Sequence, residues 1–246
     1  MIKSRRRQRI GAVMAGALLV IGIAASTAAQ PATPNLEGVW KIVAPTKTLK
    51  PVSGSVPFTA QGRKQYGENK RLQAKGAYDD YDITLSRCNS PGTPRLMLTP
   101  ERFKIWQRMG VVTFDFEWNR ALRQIDASGR PPVEDFLGRG LVPSMNGTSK
   151  GHWEGDTLVA ETTNISDRTL LDDLVPHTQD MKVTEHLRLA DPDTLEDRIT
   201  VSDPETFTAN WETVLRFKRQ PRKTEISEDV CYDRTDNGEP AVKPSS

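Results

Sequence analysis

Lys150–Asn164 reads KGHWEGDTLVAETTN. Two strand-like runs flank Glu154-Gly155-Asp156. Asp and Gly accept the backbone angles that a tight hairpin turn demands. Trp153 and Leu158 would then pack beside the turn. The stretch therefore predicts a β-hairpin and, on its own, gives no role to His152 or Glu161.

Working outward, the same grammar repeats. RFKIWQ and VVTFDFEWNRALRQID flank the turn RMG. KVTEHLRLA and TLEDRITV flank DPD, and WETVLRFKR and TEISEDVCY follow. Upstream, LEGVWKIV (Leu36 to Val43) reads as a first strand. A helix follows, with Thr59 as its N-cap and Gly76 as its stop. SGRPP breaks the chain, and Val133 to Ser149 reads as a poorly patterned loop. Many short strands at close spacing predict a mainly all-β fold: a single antiparallel β-barrel, lipocalin-like, with one short N-terminal helix.

The chain has 246 residues. Its first 29 read as a signal peptide: Lys3, Arg5, Arg6, Arg7 and Arg9 precede the apolar run Gly11–Ala25, and small residues offer cleavage after Ala29. Residues 30–234 are then expected to be one barrel domain, and 235–246 a disordered tail. Without the leader the chain carries 29 basic against 32 acidic side chains, net −3. That balance gives no electrostatic footprint for nucleic acid. Export implies a periplasmic location with no stable membrane span after cleavage. An oxidising compartment makes a Cys88–Cys231 disulfide the expectation, with two buried free thiols as the alternative. The sequence shows no metal-ligand spacing and no phosphate-binding loop, so neither a metal nor a cofactor is expected.

Strands point alternate side chains to opposite faces. Sorted by that rule, Val112, Phe114, Phe116 and Trp118 share a face continued by Arg120. Glu185 lies with Val183 and Leu187, Asp197 with Leu195 and Ile199, and Glu228 with Ile226, Val230 and Tyr232. Three carboxylates and a guanidinium thus fall on apolar faces, where a lone charge is expensive. They must pair, neutralise or line a polar cavity. His177, on the irregular segment before the Glu185 strand, is the proton-shuttle candidate at neutral pH. The candidate catalytic set is His177, Glu185, Asp197 and Glu228. The candidate substrate-binding set is Arg120, Trp118, Phe116 and Tyr232.

From LEGVW to CYDR the chain resembles a family of exported bacterial β-rich proteins. The likeness rests on Cys88–Arg95 (CNSPGTPR), Glu117–Arg123, Gly129–Pro131, Trp153–Val159 (WEGDTLV), Pro176-His177, Glu185, Asp193–Glu196, Asp203-Pro204, Glu228 and Cys231. The hairpin and barrel pattern are more loosely similar to lipocalin-type proteins. Between Pro143 and Gly151 the chain departs from the family: Thr148 stands at the family's His, so a role resting on that His does not carry over. His152 stands where the family usually has Arg.

Besides a structural envelope protein with a filled core and no cavity, two functions follow as expectations. One is a cofactor-independent lyase or isomerase that opens, for example, a C–O bond of a small hydrophobic or aromatic molecule held in the barrel. The other is a periplasmic binding protein for a lipophilic ligand, without catalysis. The expected partner is that small molecule, with a second copy of the chain as an optional one.

Overall fold

Trp153 and Leu158 pair across the Gly155-Asp156 turn, where Gly155 has φ +61°. The hairpin joins β5 (Thr148–Glu154) to β6 (Thr157–Thr163). It is one corner of a closed nine-stranded barrel, in a computed structural model that describes residues 33–130, 142–239 and 241. The expected signal peptide, residues 133–141 of the Val133–Ser149 loop, and residues 240 and 242–246 of the tail lie outside the described residues. The end of that loop is strand, since β5 begins at Thr148.

The other strands are β1 (Gly38–Ile42), β2 (Arg102–Arg108), β3 (Val111–Phe116), β4 (Leu122–Asp126), β7 (Lys182–Asp191), β8 (Thr194–Ser202) and β9 (Trp211–Arg219). Each pairs with the next in sequence, and β1 pairs with β9 to close the wall. This up-and-down order is the lipocalin-like kind of barrel. One joint departs from the antiparallel expectation. β4 and β5 run parallel and meet only at Ile125–Ser149 and Asp126–Lys150.

Local chemistry explains the reversals. Met109 and Gly110 (φ +52° and +81°) form the turn between β2 and β3. Asn119 and Arg120 (φ +47° and +48°) form the next, closed by a hydrogen bond from the Ala121 N–H to the Trp118 carbonyl at 3.0 Å. Two successive positive φ angles define the turn whose twist suits a tight hairpin. VVTFDFEWNRALRQID is therefore two strands, and the face that begins at Val112 ends at Phe116. The turn restarts the alternation, so Arg123 and Ile125 are buried while Leu122 is exposed.

TEISEDVCY is not a strand. Because β9 closes on β1, the edge of β9 is already taken. Trp118 and Asp229 make one isolated bridge, and a helix, α3 (Cys231–Asp236), follows. The disulfide Cys88–Cys231 ties α3 to the end of the short helix α2 (Ile83–Arg87). Asn119 spans this junction, donating from Nδ2 to the Cys88 carbonyl (3.3 Å) and accepting from the Cys231 N–H (2.6 Å). Past α3, Ala241 is buried, and its carbonyl accepts a hydrogen bond from Trp118 Nε1 at 3.4 Å.

The long helix α1 (Ala60–Ala74) has the expected ends. The Thr59 hydroxyl accepts from the Gly62 N–H at 3.0 Å, and Gly76 takes φ +68°. Inside the barrel, Phe103 packs edge-on against Phe217 (5.1 Å between ring centres) and tilted against Phe116 (5.2 Å). Trp40, Ile105, Phe114, Leu158, Leu187, Leu195 and Ile199 complete this apolar core.

Candidate functional site

Three charged side chains sit inside that apolar wall, from β4, β7 and β8. Arg123 lies beside Phe114 in register, its guanidinium 5.7 Å from the ring centre. Its Nη1 donates to Glu185 Oε1 at 2.7 Å, and Nη2 donates to Glu185 Oε2 and to Thr162 Oγ1 (3.3 Å). Thr162 Oγ1 in turn shares a hydrogen bond of 2.7 Å with Ser149 Oγ on β5. Ala160, in register with Glu185, is a small neighbour of this cluster. Arg123 and Glu185 are both essentially fully buried.

Asp197 completes the group from β8 and is also fully buried. Among the described residues no donor reaches either of its carboxyl oxygens, and Arg123 Nε is likewise unpaired; a protonated Asp197 hydrogen-bonds to the neighbouring Glu185 carboxylate. Burial first, and the neighbouring Glu185 charge second, push the Asp197 pKa well above the usual carboxyl range; Arg123 only partly offsets them. Burial also works against the Arg123 charge, but Glu185 outweighs it and holds the guanidinium's pKa up. The interior therefore contains a neutralised ion pair beside a carboxylic acid that keeps its proton.

A groove lies at the β4–β5 joint, beside this cluster. With only two paired positions, the two strands leave a groove of about 610 Å³ whose lining includes Leu122, Arg123, Asn146, Gly147, Ser149 and Lys150. Arg123 and Ser149 thus belong both to the buried network and to the groove.

The structure brings Glu185 and Asp197 together and separates the rest of the candidate set. His177 is buried in the segment before β7. Its Nδ1 contacts the Thr178 carbonyl (2.9 Å) and its Nε2 the Thr169 hydroxyl (2.9 Å). Burial lowers its pKa, so it is neutral at neutral pH. It hydrogen-bonds to neither Glu185 nor Asp197 and lines a different cavity, of about 410 Å³, with Asn69 and Tyr81. Glu228 is exposed on a non-strand segment, because the strand assigned to it does not form. Arg120 sits in the turn and pairs with Asp115 at 2.8 Å, so the guanidinium inside the barrel is Arg123. Trp118 and Phe116 are core residues. Tyr232 is exposed on α3, its hydroxyl donating to the Arg87 carbonyl at 2.9 Å.

Arg123, Thr162 and Ser149 were missed. The signal for Arg123 was the Asn119 turn, since Asn tolerates positive φ better than most residues. Thr162 and Ser149 carry no charge, so nothing in their pattern set them apart. Among the described residues no group of three or more His, Cys, Asp or Glu is arranged to hold a metal ion, and no helix is long and apolar enough to cross a membrane.

Fold and interior together define a closed β-barrel of the lipocalin-like kind with a buried polar centre. No protein-family model and no curated protein matches the chain. Among solved structures it is similar to a mutant of the fluorescent protein UnaG, at 13% identity and a TM-score of 0.34, over 76% of this chain and 96% of that one. A likeness so distant carries no argument about site or ligand.

Proposed function

We propose that this is an exported barrel that binds a small hydrophobic or aromatic molecule through one polar group, recognised at Asp197 and Arg123. The observation that carries this reading is Asp197: a fully buried carboxyl that no protein donor reaches, its proton shared with Glu185 beside an ion pair that is already satisfied. Buried polar groups are costly without partners, so the unmet acceptor capacity of Asp197 favours a ligand hydroxyl as the missing donor. Phe114, Ile125 and Leu158 offer the apolar contact, and the β4–β5 groove the approach. Membership of the exported bacterial family and a periplasmic location belong to the same proposal, and the Cys88–Cys231 disulfide supports them.

A second reading rests on a specific feature. Asp197 holds a proton beside the Glu185 carboxylate, so a proton donor and a proton acceptor stand side by side. Lyase or isomerase chemistry on the bound molecule needs such a pair: Asp197 would protonate a leaving oxygen while Glu185 accepts a proton from carbon. His177 has no part in it.

The test is a thermal-shift screen of small aromatic and terpenoid molecules against the full chain, with products followed by mass spectrometry. Stabilisation that is lost in Asp197→Asn, without conversion, supports the binding protein. Conversion lost in both Asp197→Asn and Glu185→Gln supports the enzyme. Ligands that stabilise wild type and Asp197→Asn equally overturn both.

A further inference from the structure

The basic run Arg216–Lys223 (RFKRQPRK) does not present its charge on one side. Phe217 is buried and Arg219 lies against Trp40 inside the barrel, so alternation along β9 sends Arg216 and Lys218 outward. The same rule places Lys41 outside on β1, between buried Trp40 and Ile42. On β2 it places Arg102, Lys104 and Trp106 outside, alternating with buried Phe103 and Ile105. All of these residues therefore share the outer face of the wall.

Register gathers them. Lys41 stands directly opposite Lys218 on one side and Arg102 on the other, and Lys104, opposite Val39, is its diagonal neighbour. Neighbouring strands lie about 4.8 Å apart, so the row Arg102, Lys41, Lys218 crosses about 10 Å of wall. Like charges directly opposite one another destabilise a sheet. The carboxylates along this face are already committed: Glu117 to Arg102, Asp115 to Arg120, and Glu196 to Arg188 and Arg216. Among the described residues Lys41, Lys104 and Lys218 have no ion-pair partner, and Lys218 Nζ reaches the Thr194 hydroxyl only at 3.5 Å. Apolar side chains border the row. Val43 follows Lys41 on the same face and is 57% exposed. Val52, 56% exposed, follows Pro51, whose register partner Thr213 is buried, and so also faces out. At the other end Trp106 is half-buried, its ring centre 5.4 Å from the Lys104 ammonium.

We propose that the outer face of β2, β1 and β9 docks the protein on an anionic membrane surface. Lys41, Lys104 and Lys218 meet the lipid phosphates, and Val43, Val52 and Trp106 meet the boundary of the acyl chains. Cations spread over three strands match an array of headgroups rather than one small anion, and exposed valines beside them favour a lipid surface over a fully hydrated polyanion. The face stands apart from the barrel interior and does not depend on the reading given for it.

The test is flotation with lipid vesicles at low salt, using the chain from Gln30 onward, the form that export would leave. The compact unit Thr33–Ser246 holds every strand of the closed wall and both cysteines. Binding is expected to vesicles of phosphatidylglycerol and phosphatidylcholine in equal parts, and not to phosphatidylcholine alone. Salt at about 0.5 M should release it. Lys41→Gln/Lys218→Gln should weaken binding by about tenfold or more, with a thermal midpoint no lower than that of wild type, because the opposed charges are gone. Val43→Ser/Val52→Ser should weaken it as well. Lys64→Gln/Lys70→Gln, which removes the same charge from α1 rather than from the wall, should leave it unchanged. No binding to the anionic vesicles, equal binding to phosphatidylcholine alone, or equal loss in the α1 variant overturns the proposal. Binding that heparin displaces and the valine variant leaves intact overturns it too, and assigns the face to a soluble polyanion.

Discussion

Two buried arginines in this protein are treated in opposite ways. Arg95, in the proline-rich segment before β2, donates to both oxygens of Asp82 (2.9 and 2.8 Å) and to Asp173 (2.9 Å). Asp82 also caps α2, accepting from the Thr84 N–H at 3.1 Å. Burial opposes the Arg95 charge, but the two aspartates outweigh it and hold its pKa above the usual value. Neither Arg95 nor Asp82 has a fully buried side-chain atom without a hydrogen-bond partner. In the barrel, Glu185 is the carboxylate that pairs with Arg123, and the second carboxyl, Asp197, keeps a proton shared with Glu185 and is reached by no donor among the described residues. A closed network holds loops together. An open one, inside the wall and under a groove, is what a binding site requires.

Breaking the closed network should produce the largest effect. Arg95→Met leaves two carboxylates without their cation and is expected to cost about 3–5 kcal/mol in urea unfolding. A loss of under about 1 kcal/mol would make the two clusters equivalent and dissolve the contrast. Next comes the covalent tie on the same side of the molecule. The Cys88→Ala/Cys231→Ala variant opens a loop with a sequence separation of 143 and should lose about 2–5 kcal/mol, read from thermal and urea unfolding.

For the open network the expected sign reverses. Folded Asp197 keeps a proton that the unfolded chain releases in the ordinary carboxyl range. Stability therefore falls as pH rises from that range toward the raised pKa. Asp197→Asn cannot ionise. It should be more stable than wild type at neutral pH, and its advantage should widen by about 1.4 kcal/mol per pH unit across the window. Urea unfolding at a series of pH values measures this, and a pH-independent difference would mean that Asp197 is ionised in the fold. The smallest effect calibrates the others. Thr59→Ala removes an ordinary helix cap at the surface and should cost about 1 kcal/mol.

The hairpins around Gly110, Gly155 and Pro192-Asp193 were legible because turn chemistry is local: the residues that permit the backbone angles are the turn itself. The inward faces of β7 and β8, with Glu185 and Asp197 among apolar neighbours, were legible because the side-chain period of a strand is two. Arg120 was taken for Arg123 because one missed reversal at Asn119 shifts every later face assignment. The strand expected at Glu228 failed for a global reason: closure of β9 onto β1 removes the edge it would have needed. His177 looked like a mouth residue because its segment is irregular, yet it is packed under Thr169 and Thr178.

By itself the sequence determined the class of fold, the cysteines available to be joined and the two carboxylates that face inward. These follow from local angles and from alternation along a strand. Only the tertiary structure decided that Arg123 meets Glu185 across 62 residues, that no donor among the described residues reaches Asp197, and that β4 and β5 run parallel and leave a groove beside them. Those outcomes depend on which strands become neighbours when the wall closes, and no local pattern encodes that choice.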